Sequence, residues 1–277
     1  MDGFHLTKLT DSQFLKFSEL VYEKTGIFLK PEKKELLNAR LGKRLRACGI
    51  NDFKNYYNFV MGDASGEELI HLIDSVSTNF TNFFREKAHF DFLKANVLPG
   101  YIKGARGKKQ ISVWSAACSS GEEPYTLGMV LGDFFSRYQD WNFSILATDI
   151  STRVLSHGER GVYSLDRVAG IPENQLRLFF QKGTGKSSGQ VKVKDSLRGL
   201  VTFRRFNLMD VFPWKESFDI IFCRNVMIYF NRETQQELIS KFYGSLVPGG
   251  HLFIGHSESI SGIKHGFKQI ASTTYQK

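Results

Sequence analysis

The residues best placed to do chemistry fall in the stretch SAACSSGEEPYT at 115–126. Ala117, Ser119 and Gly121 put small residues at alternate positions, and the helical pattern that follows opens with the carboxylates Glu122 and Glu123. Small side chains let a backbone approach a bound molecule, and a helix N-terminus offers unpaired N–H groups. The stretch is not a G-x-G-x-x-G loop, and two carboxylates stand where a pyrophosphate would lie, so a dinucleotide is disfavoured. A ligand with a cationic head group suits the place better. Asp149, 28 residues beyond Gly121, ends a second apolar run. It reads either as acceptor for both hydroxyls of a ribose or as the N-cap of the helix beginning near Ser151.

Positions of this kind need a sheet to hold them. QISVWSAA (110–117), FSILATDI (143–150), LVTFRRF (200–206), FDIIFCRN (218–225) and HLFIG (251–255) are short β-rich runs. Helical segments at 124–135, 151–158 and 233–246 separate most of them, which predicts a mainly parallel sheet covered on both faces. Ligands of such sheets bind beyond the C-terminal ends of the strands. An adenosine nucleoside bearing an amino acid, namely S-adenosylmethionine, fits both the acidic turn and Asp149. LVPGGHLFIG places a Pro-Gly-Gly turn before a late strand, as is common in S-adenosylmethionine methyltransferases.

Residues 11 to about 90 read differently. Thr10 or Asp11 caps a helix through Phe14, Phe17, Leu20 and Val21 that ends at Gly26, and Pro31 opens a basic helix. Asn51 or Asp52 caps a third helix, and 67–76 forms a fourth. The expected organisation is an all-helical N-terminal domain (1–90), a linker (91–108) and an α/β domain (109–277). No internal repeat is visible.

The formal charge of +9 is concentrated. Segment 30–46 carries seven basic residues against Glu32 and Glu35, a net +5; segment 182–205 carries seven against Asp195, a net +6; the remainder is −2. In the first, Leu37, Leu41, Leu45 and Cys48 form one apolar stripe, with Arg40, Lys43 and Arg46 on the other side and Arg44 flanking it. That face is either solvated or a docking surface for an anionic partner. In the second, a Gly-rich turn precedes the alternation Val191-Lys192-Val193-Lys194, which reads as a small half-exposed strand. It is either a tolerated surface insertion or an edge offered to a peptide.

Cys48, Cys118 and Cys223 are odd in number and far apart, and neither they nor the seven histidines show metal-ligand spacing. A reducing cytoplasm fits this usage. The polar N-terminus is no secretory signal, and no apolar run approaches the ~18 residues that span a bilayer. A secreted disulfide scaffold, an integral membrane protein and a zinc finger are excluded. The chain ends at Lys277, soon after the last expected strand, so no further regulatory domain is expected.

Six strings together carry a specific resemblance: STNFTNFFRE (77–86), VWSAACSSGEEPYT (113–126), ATDI (147–150), FNLMD (206–210), FCRNVMIYF (222–230) and LFIGHSES (252–259). In this order they resemble the chemotaxis receptor methyltransferases of the CheR type, protein-glutamate O-methyltransferases that use S-adenosylmethionine. The resemblance implies a Rossmann-like α/β methyltransferase domain, an all-helical N-terminal receptor-docking domain and a small β-subdomain at about 178–205. It implies that Asn79, Thr81 and Arg85 reach the cofactor from the helical side. Glu122 or Glu123 matches the acid for the methionine amino group, and Asp149 the ribose acid. Asn207 and Leu208 match positions near the adenine, Arg224 and Asn225 the cofactor-side end of the fourth strand, and Tyr229 the tyrosine beside the transferred methyl. Arg40, Lys43, Arg44 and Arg46 match a receptor-docking helix, and the excursion at 183–195 a β-subdomain that binds a receptor C-terminal peptide in some members.

The implied reaction is an in-line methyl transfer to a carboxylate oxygen. A glutamate side chain has a pKa of about 4.3 and is already the anion at neutral pH, so neither a general base nor a metal is expected. Arg85 would orient that anion through a forked guanidinium that does not deprotonate, and Tyr229 would hydrogen-bond near the methyl. The expected partner is the acidic cytoplasmic helical bundle of a chemoreceptor, without membrane insertion. The competing reading is an RNA methyltransferase. It finds no interleaved basic–aromatic surface in the helical region and no N-P-P-Y-type tetrapeptide in the sheet region.

Overall fold

The computed structural model describes residues 7–104 and 109–277. Four helices come first: α1 (Asp11–Thr25), α2 (Lys34–Ala47, entered through a 3-10 turn at Pro31–Lys33), α3 (Phe53–Gly62) and α4 (Glu67–Val76). Thr10 is the cap of α1, closing a reciprocal capping box with Gln13, and Asp52 caps α3. The stripe of α2 behaves as its period requires. Leu37, Leu41 and Leu45 are buried in a small core with Phe14, Phe17, Phe53, Tyr56 and Leu72, and Cys48 lies half-buried beside them.

The basic face of α2 is less open than its sequence suggests. Glu68 of α4 is buried and accepts from Arg44 Nε and Nη2 at 2.7 and 2.5 Å and from the Tyr56 hydroxyl at 2.7 Å. Burial opposes the Glu68 anion, yet its donors Arg44 and Tyr56 hold the carboxyl below the usual range. Arg40 donates to the carbonyls of Val76 and Ser77, at 2.5 and 3.2 Å, where α4 ends. Lys43 and Arg46 are the exposed members of the four. Arg40 and Arg44 thus engage partners within the protein while remaining half-buried, and Lys43 and Arg46 are the open positions of this face.

The expected linker is also corrected. α5 (Lys87–Phe92), a π-helical turn (Leu93–Val97) and α6 (Leu98–Gly104) continue one after another. Phe90, Leu93, Val97 and Leu98 are buried in the main core, so this segment is part of the α/β layer. Positions 105–108 of the expected linker lie outside the described residues. The crossing between helical and sheet regions is 77–86 instead.

The α/β region runs β1 (Gln110–Ala116), α7 (Glu122–Phe135), β2 (Asn142–Asp149), α8 (Thr152–Arg160), β3 (Val162–Ser164), α9 (Glu173–Phe179), β4 (Phe180–Lys182), β5 (Gln190–Val193), α10 (Asp195–Arg198), β6 (Val201–Arg205), β7 (Phe218–Cys223), α11 (Arg232–Ser245), β8 (Leu246–Ile254), β9 (Lys268–Ala271) and β10 (Thr274–Gln276). Seven strands form one sheet in the order β6-β2-β1-β7-β8-β10-β9. The first five are parallel, and β10 is antiparallel to both β8 and β9. Strands covered on both faces are apolar on both. In β1, Ile111 and Val113 join one core, while Trp114 and Ala116 join the other.

A separate antiparallel sheet has the order β3-β5-β4, with Val191 and Val193 buried beneath an exposed Lys192. It takes its third strand from 162–164. Residues 201–205 belong to the edge of the large sheet, so the small one spans 162–193 rather than 178–205.

Because Arg44 neutralises a buried carboxylate, Arg44→Ala is expected to cost about 1–3 kcal/mol of stability in urea unfolding. Lys43→Ala should stay within about 0.5 kcal/mol of the parent. Equal, negligible effects would show that Arg44 is a free surface charge.

Candidate functional site

A cavity of about 530 Å³ opens beyond the C-terminal ends of β1, β2 and β7, between the sheet and the helical region. Asn79, Thr81, Arg85, Glu123, Asp149, Asn207, Leu208, Arg224, Asn225 and Tyr229 all line it. These positions span 151 residues of sequence, and parallel crossovers bring them to one edge of the sheet.

The turn after β1 explains the small residues. Ala117 and Ser119 have φ of +61° and +50°, and Gly121 has +96°. A Cβ on Gly121 would stand 2.9 Å from the backbone of Gly158, so glycine is required there. The Ser119 hydroxyl donates to the Asn79 carbonyl at 2.8 Å, tying the turn to the crossing segment. Positive φ at Phe84, Glu86 and Asn225 adds to the left-handed conformations around the cavity.

The two adjacent glutamates separate. Glu122 is buried away from the cavity, with its carboxylate on Arg167 Nη2 at 2.5 Å and on the Ser120 hydroxyl at 2.7 Å. A cofactor contact by Glu122 is corrected on this ground, since a helix turns successive side chains by about 100°. Glu123 faces the cavity and accepts from the Ser115 hydroxyl at 2.7 Å. Burial raises its pKa, although Arg224 Nε lies 3.6 Å away.

Asp149 is buried and accepts from the N–H groups of Ser119 and Ser151 at 2.8 and 2.9 Å. Burial pushes its carboxyl up to about 6, with those amides opposing. The cap of α8 is Ser151, so Asp149 is not needed as the N-cap.

Arg224 directly follows β7, with its side chain 1% exposed. Its Nη2 donates to the Arg85 carbonyl at 2.5 Å, and its guanidinium lies 5.3 Å from the Phe90 ring centroid. Glu86 Oε2 is 3.3 Å from Arg224 Nε without hydrogen-bond geometry. Arg224 Nε and Nη1 and Asn79 Nδ2 are buried donors with no hydrogen-bond partner. A ligand with oxygen or nitrogen acceptors would satisfy them. Arg85 lies nearby, with Nη1 on the Phe80 carbonyl at 2.8 Å.

Asn207 uses its side chain structurally: Nδ2 donates to the Lys24 carbonyl at 2.7 Å and Oδ1 accepts from the Met209 N–H. Together with the Ile27–Phe230 bridge and the Phe28 N–H on the Tyr229 carbonyl at 2.8 Å, it fixes the end of α1 against the sheet.

Sequence reasoning missed two contributors, Glu258 and Glu86, and gave Arg40 a docking role only. Glu258 accepts from the N–H groups of Gly255, Asn225, Met227 and Ile228 at 2.6–3.3 Å, caging the turn that presents Asn225 and Tyr229. Glu86 accepts from Asn225 Nδ2 and the His256 N–H. Arg40 also lines the cavity. Within a polar string a glutamate reads as surface, and only burial marks Glu258 and Glu86 as structural.

Glu86, His89 and His256 place possible metal-ligand atoms within 4.8 Å of one another, a grouping that sequence spacing does not reveal. Arg224 already sets a cation against Glu86, and His89 Nε2 lies 2.7 Å from the Thr273 hydroxyl. Burial, followed by the Arg224 charge, lowers His89 to about 4, so it is neutral at pH 7. Cys118 and Cys223 are buried, and burial raises both thiols.

Two family models match the chain: CheR methyltransferase, all-alpha domain, over residues 12–77, and CheR methyltransferase, SAM binding domain, over residues 79–276. The chemotaxis protein methyltransferase of Borreliella burgdorferi is 40% identical over 273 residues, covering 97% of this chain and 95% of that protein. That of Escherichia coli K12 is 37% identical over 268 residues, covering 96% and 91%. A probable chemotaxis protein methyltransferase of Rhizobium etli is 37% identical over 258 residues, covering 93% and 96%. With the two models matching in succession along nearly the whole chain and the cavity lined from both, the chain belongs to the CheR methyltransferase family.

Proposed function

We propose that this protein transfers the methyl group of S-adenosylmethionine to glutamate carboxylates on the cytoplasmic domain of chemoreceptors. The observation that carries the reading is one cavity uniting Glu123, Asp149, Arg85 and Tyr229 in a chain of this family. Glu123 holds the amino group, a cation that relieves a carboxylate otherwise buried at a cost. Asp149 accepts from the ribose hydroxyls. Arg224 Nη1 and Asn79 Nδ2 supply donors to the cofactor's acceptors. Asn225 and the Asn207–Leu208 backbone complete the wall.

S-adenosylmethionine supplies a methyl carbon on a sulfonium; the carboxylate oxygen bonds that carbon as the carbon–sulfur bond breaks and its electron pair goes to sulfur. The attacking glutamate is ionised at neutral pH, and catalysis rests on alignment and exclusion of water. Arg85 orients the anion and keeps it charged, and Tyr229 closes the wall beside the transferred methyl.

On the receptor side, Lys43 and Arg46 of α2 face an acidic helical bundle, an attraction that salt should screen. The small sheet ends on the three-residue edges of β3 and β4, either of which a receptor C-terminal peptide could extend.

Methyl-labelled cofactor incubated with receptor-bearing membranes should give protein-bound label that mild base releases as methanol. Base-stable label, or label on RNA, would contradict the reading. Arg85→Ala should cut turnover about a hundredfold or more with the fold intact; near-normal activity would remove Arg85 from the reaction. The titration of Asp149 gives a further expectation. Affinity for S-adenosylhomocysteine should be flat above neutrality and fall as pH drops through about 6, by up to about tenfold per unit, because the proton competes with the ribose hydroxyls. Calorimetry on Asp149→Asn should show weaker binding and loss of the fall through about 6; an unchanged profile would place Asp149 outside the contact.

A further inference from the structure

We infer that a second, cationic cavity, beside the turn after β1, binds a small molecule that carries a diphosphate. This cavity has a volume of about 440 Å³. It lies next to the cofactor cavity and is separate from it, with Asn79 the one residue that lines both.

Its walls come from three places. α8 supplies Arg153, His157 and Arg160, whose i, i+4 and i+7 spacing puts all three on one face of the helix. Ser164 ends β3, and Arg167 follows in the 3-10 turn at Leu165–Val168. Ser120 comes from the turn after β1. Three guanidinium groups, an imidazole and two serines thus surround one space, and among the described residues no carboxylate lines it.

The positive charges are only partly answered. Arg167 Nη2 meets the buried carboxylate of Glu122, which stands outside the lining. Arg160 donates to the Ser156 hydroxyl at 2.9 Å, a neutral partner, and Arg153 has no hydrogen bond or ion pair among the described residues. Burial lowers the His157 pKa and Glu122 opposes that shift, while the charges of Arg160 and Arg167 add to it, as expected of groups gathered round one point. A concave surface lined by one sign of charge concentrates counter-ions.

The donor set selects phosphate. A carboxylate brings one charge and two oxygens in a plane. A phosphate brings up to two charges and three outward oxygens, which suit guanidinium forks arriving from separate elements. Arg153 and Arg160 lie two helical turns apart, about 10 Å along the axis, so two phosphate groups fill their forks better than one.

The test is calorimetry in magnesium-free buffer on the full chain saturated with S-adenosylhomocysteine, which occupies the neighbouring cavity. Pyrophosphate should bind at one site, at least tenfold tighter than orthophosphate or sulfate at the same ionic strength. Arg153→Gln and Arg160→Gln should each weaken it about tenfold. Both side chains are exposed, so the unfolding midpoint should stay at the parent value. Lys215→Gln, an equal loss of exposed charge outside the cavity, should change affinity less than twofold. Failure of pyrophosphate to bind the saturated protein overturns the inference, as does parent affinity in both arginine variants. Equal affinity for sulfate and pyrophosphate overturns the choice of a diphosphate. Phosphatidylglycerol vesicles offer the same phosphate chemistry one group at a time on a flat surface. Sedimentation with them that both arginine variants abolish, without pyrophosphate binding, would make this face a lipid contact and overturn the small-molecule assignment.

Discussion

A buried guanidinium organises this protein. Arg224 stands just beyond the end of a central parallel strand, almost fully removed from water, with the carboxylates of Glu86 and Glu123 both near its Nε. Burying a charge is costly unless opposite charges and hydrogen bonds answer it. Here the answer comes from three places in sequence: the crossing segment, the helix after the first strand, and the ring of Phe90. The crossing segment therefore cannot drift. Its Arg85 carbonyl is bonded to Arg224, and its Glu86 is tied to Asn225 and His256. Arg85, whose own side chain is bonded to the Phe80 carbonyl, lines the cavity beside these held neighbours.

The surrounding backbone follows from that arrangement. Phe84, Glu86, Ala117, Ser119 and Asn225 all take left-handed conformations, which cost non-glycine residues roughly 1 kcal/mol or more each. They persist because polar contacts over-determine them. Glu258 gathers four amide protons around the Asn225 turn, and Asp149 gathers those of Ser119 and Ser151. Both carboxyls are pushed up by burial despite these donors. Asp149 in particular is poised for hydroxyl donors that a nucleoside would bring.

The sheet was legible in the sequence because strands covered on both faces are apolar on both, as β7 is from Ile220 to Cys223. The helical stripe through Leu37, Leu41 and Leu45 was legible for the corresponding reason at period 3.6. What periodicity does not carry is the identity of a charge's partner. Arg44 and Glu68 are 24 residues apart, and Arg40 is answered by carbonyls, so both read as surface charge. The segment from 91 read as a linker because a π-turn and a Pro-Gly pair break its pattern. Short strands such as β3 and β10 carry too few residues to announce themselves. At the site, the residue types were legible from the motifs. The choice between Glu122 and Glu123 was not, because both follow the same turn and only the packing of Arg167 shows which way each faces.

The dependence of the site on Arg224 is open to direct measurement by a double-mutant cycle on unfolding free energy with Arg224→Met and Glu86→Gln. Each single change should be destabilising, since it removes one of the few partners of the other buried charge. The double variant should cost less than their sum, with a coupling of about 1–3 kcal/mol. Additive effects would contradict the claim that this buried pair holds the crossing segment to the sheet.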